Sequence, residues 1–222
     1  MVVRVRKGAA SEIGEENTRD KILSAAGEVF AEQGFEGATI RAITERAGVN
    51  VAAVNYHFRD KAELYTRVVL DACSARAAWS DVMAEAPNSP QECLRSLIYH
   101  FLQYLLDSDR AAWKRRLMAR EMANPTGALD ELVERNIRPF RNEFLLPTLR
   151  ELTGDKLSRR KLILISISVM GQCHYFLQGQ PIIERLNPDF KIGKAEIAEI
   201  ADHIARFSLA GIAALTPPVR RS

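Results

Sequence analysis

At 222 residues, 47% of them hydrophobic and 27% charged, the chain has the composition of a globular protein, and its 12 glycines and 9 prolines are too few for a fibrous or disordered one. Its formal net charge of +3 attracts no polyanion as a whole, so a nucleic-acid partner would have to be met by a local face. Cys73, Cys93 and Cys173 give neither a disulfide framework nor a CxxC zinc pattern.

Cysteines of that kind fit a reducing cytoplasm. No apolar run near the N-terminus suggests a signal peptide. The longest apolar stretch, Leu162 to Met170, is interrupted by Ser166 and Ser168 and is too short to span a bilayer. Neither a metal nor another cofactor is expected.

In chain order, residues 1–16 read as an arm with a basic tip, Arg4, Arg6 and Lys7, followed by acidic Glu12, Glu15 and Glu16. A helix is predicted from about Thr18 to Gln33, because Ile22, Leu23, Ala26, Val29 and Phe30 share one face and Gly34 stops it. A short helix should follow Thr39, with Ile40, Ile43 and Ala47 turned inward and Gly48 as its breaker. Another should begin at Asn50, a good N-cap, and end near Tyr56 to Phe58. Asp60 and Glu63 resemble a capping box opening a fourth helix that runs to about Glu85.

Ala86–Pro90 reads as a linker. Ser89, Pro90 and Glu92 then start a helix carrying Leu94, Leu97, Ile98, Phe101, Leu102 and Leu105. Helices over about 110–123 and 127–151 follow, the second broken or kinked at Pro139 and Pro147. A helix from about Ser158 to Arg185 is apolar on nearly every side, and one from about Lys194 to Ala214 ends the fold. No alternating strand pattern is evident, so the class is all-α with about nine helices.

Residues 35 to 65 carry the functional signal. Two short helices joined at Gly48 make a helix-turn-helix. A reading helix must be slender on one face to enter a major groove about 12 Å wide. Val51, Ala52 and Ala53 give it a low leading edge, Asn55, Tyr56 and His57 supply donors, and Val49, Val54 and Phe58 anchor it. Residues 1–67 hold ten basic and ten acidic side chains, so only a segregated face could bind phosphate.

Phe35-x-x-Ala38-Thr39, Ile43, Ala47-Gly48-Val49, Tyr56-His57-Phe58, Lys61 and Leu64 together resemble the signature of the TetR family of transcriptional regulators. The resemblance implies an N-terminal three-helix DNA-binding domain over 17–64, a larger effector-binding and dimerisation domain over 65–214, and a tail at 215–222. It also implies roles. Thr39 and Arg41 would hold phosphates. Asn50, Val51, Ala52 and Ala53 would face bases or nearby backbone. Tyr56, His57 and Lys61 would clamp flanking phosphates, with Asn55 beside them, and such contacts fix register. The basic tip would either reach a neighbouring minor groove or be a solvated tail.

Pro125-Thr126-x-Ala128-Leu129, Arg138-Pro139-Phe140 and Gly171-Gln172-Cys173-His174-Tyr175-Phe176 resemble a TetR subgroup with a CecR-like C-terminal domain. Candidate ligand-lining residues are Tyr99, Phe101, Met118, Glu121, Met122, Phe144, Gln172, Cys173 and Phe176, each of which could equally be core. Glu121 is expected to pair with Lys114 or Arg120 on its own helix rather than with a ligand. Cys173 and His174 point about 100° apart on a helix and do not converge on a metal. The last two long helices, through Leu162 to Met170 and through Ile197, Ile200, Ala201, Ile204, Phe207 and Ile212, would build a dimer interface or be buried in their own core.

The expected protein is therefore not an enzyme. No GxGxxG, P-loop, HExxH or GxSxG occurs. It is a homodimeric repressor, released from a palindromic double-stranded operator by a small-molecule effector. The alternative is an activator or an effector-independent DNA-binding protein.

Overall fold

The computed structural model describes residues 7–73, 89–106 and 111–217, with side chains from residue 17 onward. Among these every regular element is helical, as the apolar spacing predicts. The chain divides into two compact units, residues 1–74 with 111–135, and residues 75–110 with 136–222.

In the first unit α1 spans Lys7–Gly37, α2 Ile40–Ala47, α3 Val51–His57, α4 Lys61–Ala72, α6 Ala112–Ala123 and α7 Gly127–Leu132. Its core joins Ile22, Ala26, Val29 and Phe30 of α1 to Ile43, Val54, Phe58, Leu64, Tyr65 and Val68, and is completed by Trp113, Leu117, Ala128 and Leu132. A division at residue 64 would therefore cut through α4, whose Tyr65, Val68, Val69 and Ala72 face this same core. The late segment 111–135 packs with the N-terminal helices as one body.

Helix α1 begins eleven residues before the expected Thr18. The interruption at Gly34 is as expected, with φ 75° and ψ 175°, a conformation open to glycine. The helix α4, expected to run to about Glu85, ends at Ala72; residues 74–85, Arg4 and Arg6 of the basic tip and the linker residues 86–88 lie outside the described residues.

In the second unit α5 spans Pro90–Leu106, α8 Leu146–Thr153, α9 Arg159–Gln178, α10 Gln180–Leu186 and α11 Ile197–Leu215. The break expected at the prolines takes the form of two π-helical stretches, Val133–Ile137 and Phe140–Leu145, the second preceded by Pro139. Pro147 falls in the first turn of α8, where a missing N–H costs nothing. The helix expected from Ser158 to Arg185 is in fact two, bent by 69°. Pro181 cannot donate to the preceding turn, and Gly179 lies so close to Tyr175 that a Cβ there would stand 2.8 Å from the Tyr175 carbonyl oxygen.

Most apolar residues of α9 and α11 serve their own unit. Leu162, Ile165, Val169, Ile197, Ile200, Ala201, Ile204 and Ile212 are buried with Leu94, Ile98 and Leu102 of α5. A second set is left exposed: Leu164, Ile167 and Tyr175 on α9, Phe207 and Leu215 on α11. No single described helix is long and apolar enough to cross a membrane.

Candidate nucleic-acid interface

The helix pair α2–α3 is closed by short-range hydrogen bonds. Thr39 accepts from the Ala42 N–H at 3.1 Å, capping α2. Gly48 turns the chain in the left-handed region at φ 66°, and the Val49 N–H bonds back to Thr44 at 3.1 Å. Asn50 Oδ1 then accepts from the Ala53 N–H at 2.9 Å and starts α3.

Val54 and Phe58, one helical turn apart, fix α3 to the core. The guanidinium of Arg19 lies 5.9 Å above the Phe58 ring. The opposite strip, Val51, Ala52, Asn55 and Tyr56, is exposed, and Tyr56 retains 72% of its accessible surface. Its ring meets the His57 ring in an edge-to-face arrangement, with centroids 5.0 Å apart. Thr39, Arg41 and Asn50 are exposed on the same two helices, whereas Ala53 and His57 are half-buried. Arg41 is held by Glu45 at 2.8 Å, an exposed pair that solvent weakens. Arg46 is engaged by Glu32 at 2.9 Å, and that hydrogen bond holds the Glu32 carboxyl below its usual range.

Lys61 departs from the expected pattern. Its ammonium donates to the carbonyl oxygens of Phe35 at 2.9 Å, Ala38 at 3.2 Å and Glu36 at 3.4 Å, and lies 4.7 Å from the centre of the Phe35 ring. Its donors are turned onto the α1–α2 connection rather than outward.

Glu121 also differs from expectation. It pairs with neither Lys114 nor Arg120. It is fully buried, accepting from the Tyr65 hydroxyl at 2.6 Å, the Thr126 N–H at 2.8 Å and the Thr126 hydroxyl at 3.0 Å. Burial first, then the carboxylate, pushes the Tyr65 phenol well above its ordinary range. Lys114 pairs with Asp71 at 2.9 Å instead, and Arg120 donates to the carbonyls of Ala31 and Glu32, both at 2.8 Å. Sequence reading gave Tyr65 no role, named Arg120 only as a partner for Glu121, and placed Thr126 only in the CecR-like block. Only the Thr126-x-Ala128 cap had a local signal.

The nine candidate ligand residues are divided between the two units. Met118, Glu121 and Met122 belong to the first unit and the other six to the second. There Phe101 and Phe144 join Cys93, Leu97, Tyr104 and Phe140 in a small cluster. Phe101 lies parallel to Phe140 at 6.2 Å and meets the His174 ring edge-on at 5.2 Å. Tyr99 accepts from Gln103 at 3.0 Å, and Gln172 ties α9 to Ser208 of α11 at 3.3 Å. Phe176 is half-buried against the main core, where burial pushes the Cys173 thiol up to about 12. His174 turns away to the Met170 carbonyl at 3.0 Å.

Sequence comparison matches residues 22–68 to the bacterial regulatory proteins of the tetR family, and residues 90–212 to the C-terminal domain of the HTH-type transcriptional dual regulator CecR. The chain belongs to the TetR family. CecR of Shigella flexneri is 26% identical to this TetR-family chain over 184 residues, 78% of this chain and 82% of CecR. The regulator YttP of Bacillus subtilis, described as probable, is 32% identical over 90 residues, and AcrR of Shigella flexneri 28% over 96. Those matches span less than half of either relative, 44% and 45%. The fold is similar to HlyIIR, a hemolysin II transcriptional regulator, with a TM-score of 0.59, 21% identity and coverage of 92% of this chain and 99% of that one. The relatives are transcriptional regulators, not enzymes.

Proposed function

We propose that this TetR-family chain is a sequence-specific DNA-binding regulator, working as a homodimer on a near-palindromic operator and acting as a repressor that a small-molecule effector releases. The observation that carries the reading is the outer strip of α3. A helix held by Val54 and Phe58 leaves Val51, Ala52, Asn55 and Tyr56 facing outward, and Tyr56 at 72% exposure has no use in the core. The strip is slender enough for a major groove, and its phenol and amide donate to phosphates or base edges.

Thr39, Arg41, Tyr56 and His57 are assigned to phosphates, and Asn50, Val51, Ala52, Ala53 and Asn55 to bases or adjacent backbone. Asn50 keeps its amide N–H groups for this while its oxygen caps α3. Lys61 is assigned to bracing the connection before α2. The domain plan follows the two compact units: DNA reading is assigned to residues 1–74 with 111–135, and effector binding and dimerisation to residues 75–110 with 136–222, in a cytoplasmic protein. The exposed residues of α9 and α11 are assigned to the second copy, and the effector to the half-buried aromatics of the second unit. CecR is described as a dual regulator; that favours, as a second reading, activation from the same site.

The test is selection of genomic duplex by the full chain, followed by titration across salt. Half-sites should lie about 34–36 Å apart or a multiple of it. Tyr56→Ala should weaken binding on all sequences with the salt slope nearly unchanged, because a phenol carries no charge, Arg41→Met should make the slope shallower by about one per lost contact, and Asn50→Ala should change sequence preference. Failure to retain any symmetric site would overturn the reading.

A further inference from the structure

The adjacent residues Arg120 and Glu121 leave α6 in different directions and grip different elements of the first unit. Arg120 reaches the carbonyls of Ala31 and Glu32, the last full turn of α1 before Gly34. They lie at the C-terminal end of the helix before the break, where the negative end of the helix dipole favours a cation. Glu121, without solvent contact, takes the Tyr65 hydroxyl from α4 and both donors of Thr126, whose own oxygen caps α7 through the Ala128 N–H at 3.1 Å. From α4, Lys61 binds the carbonyls that follow Gly34. The turn that launches α2 is therefore held on one side from α6 and on the other from α4, and Glu121 ties those two helices together.

We propose that Arg120 and Glu121 are positioning residues for the α2–α3 pair, fixing the angle at which the reading helix is presented without touching DNA themselves. The inference rests on the proposed function and names the segment, 111–135, through which the reading surface is held. Removing either side chain frees the α1–α2 turn while leaving the outer strip of α3 chemically unchanged. A phosphate contact behaves differently, because its loss alters the number of counterions released.

The test uses the full chain with Arg120→Met, Arg120→Lys and Glu121→Gln. Amide hydrogen exchange without DNA should show residues 34–57 of Arg120→Met and Glu121→Gln exchanging faster, with the second unit's amides unchanged. Affinity for the selected duplex should fall about tenfold, the equivalent of one charge-assisted hydrogen bond, with an unaltered salt slope. Arg120→Lys should recover part of both effects, since an ammonium can still serve one carbonyl. A salt slope shallower by about one per subunit would make Arg120 a phosphate ligand and overturn the proposal. So would unchanged exchange together with unchanged affinity. If Arg120→Met fails to fold, Arg120→Lys and Glu121→Gln carry the same comparison. If the wild-type chain retains no duplex, the functional reading falls, and the exchange measurement still decides whether α6 positions α2–α3.

Discussion

The ammonium of Lys61 lies 2.9 Å from the carbonyl oxygen of Phe35, a residue 26 positions earlier in the chain. A cation on the first turn of a helix would ordinarily be an anion ligand. Here its donors close the end of α1, and Phe35 adds a ring face 4.7 Å away.

Lys61→Met should therefore act on stability before it acts on DNA. The methionine keeps the aliphatic stem but strands carbonyls in a partly buried place, a loss of about 1–3 kcal/mol. Urea unfolding should show the lowered midpoint. Operator affinity should fall with no change in salt slope. A stable variant with a shallower slope would return Lys61 to the phosphates.

Gly27 is fixed by a different contact. A Cβ placed there would stand 2.5 Å from Cζ3 of Trp113, closer than packed atoms allow. Gly27→Ala gains up to about 1 kcal/mol of helix propensity. Displacing a ring that is only 7% exposed costs about 1–3 kcal/mol and should win. Thermal unfolding should place the variant below wild type, and Trp113→Leu, which makes room, should suppress the difference.

What was legible in the sequence was local. Thr39, Gly48 and Asn50 act on amides within five residues, so their types and spacing announce α2 and α3. The apolar faces of α1 and α5 were equally readable, since burial follows the 3.6-residue period. Lys61, Arg120 and Glu121 were not, because their partners lie 26, 89 and 56 positions away, and residue type alone does not say which of several carbonyls or hydroxyls a charge will meet. The break at Gly179 and Pro181 had a visible cause, but the apolar run of α9 suggested continuity through it.

Tyr65 makes the first unit sensitive to alkali. Its phenol is raised in the folded protein by burial and by the Glu121 carboxylate, while the unfolded chain titrates near about 10. Above that pH the unfolded state loses a proton that the folded state keeps, so stability falls as pH rises. Below it the contribution is fully present. The buried Cys173 thiol, at about 12 when folded, slopes the same way in the second unit. Tyr65→Phe should lose about 1–2 kcal/mol near neutrality, because Glu121 forfeits a donor, and should show a shallower decline between about pH 10 and 11 than wild type. Urea midpoints taken across that range check both, and parallel curves would show that the hydroxyl is not what titrates.

The exposed stripe of α9 and α11 can be separated from the core beneath it. Leu164, Ile167, Gly171 and Tyr175 recur at helical spacing, and open space surrounds Gly171 and Gly211, so a second backbone could approach closely. Ile167 is 62% exposed and Ile165 only 6%. A glutamate at an exposed site shifts the monomer by no more than about 0.5 kcal/mol, whereas a charge in the core costs several kcal/mol. Ile167→Glu should thus leave the helical spectrum intact while converting a dimer to a monomer in sedimentation, with half-site binding but no cooperative binding to the palindrome. Ile165→Glu should unfold the second unit altogether. An Ile167→Glu protein that sediments as a dimer and binds the full operator would place the second copy on some other face.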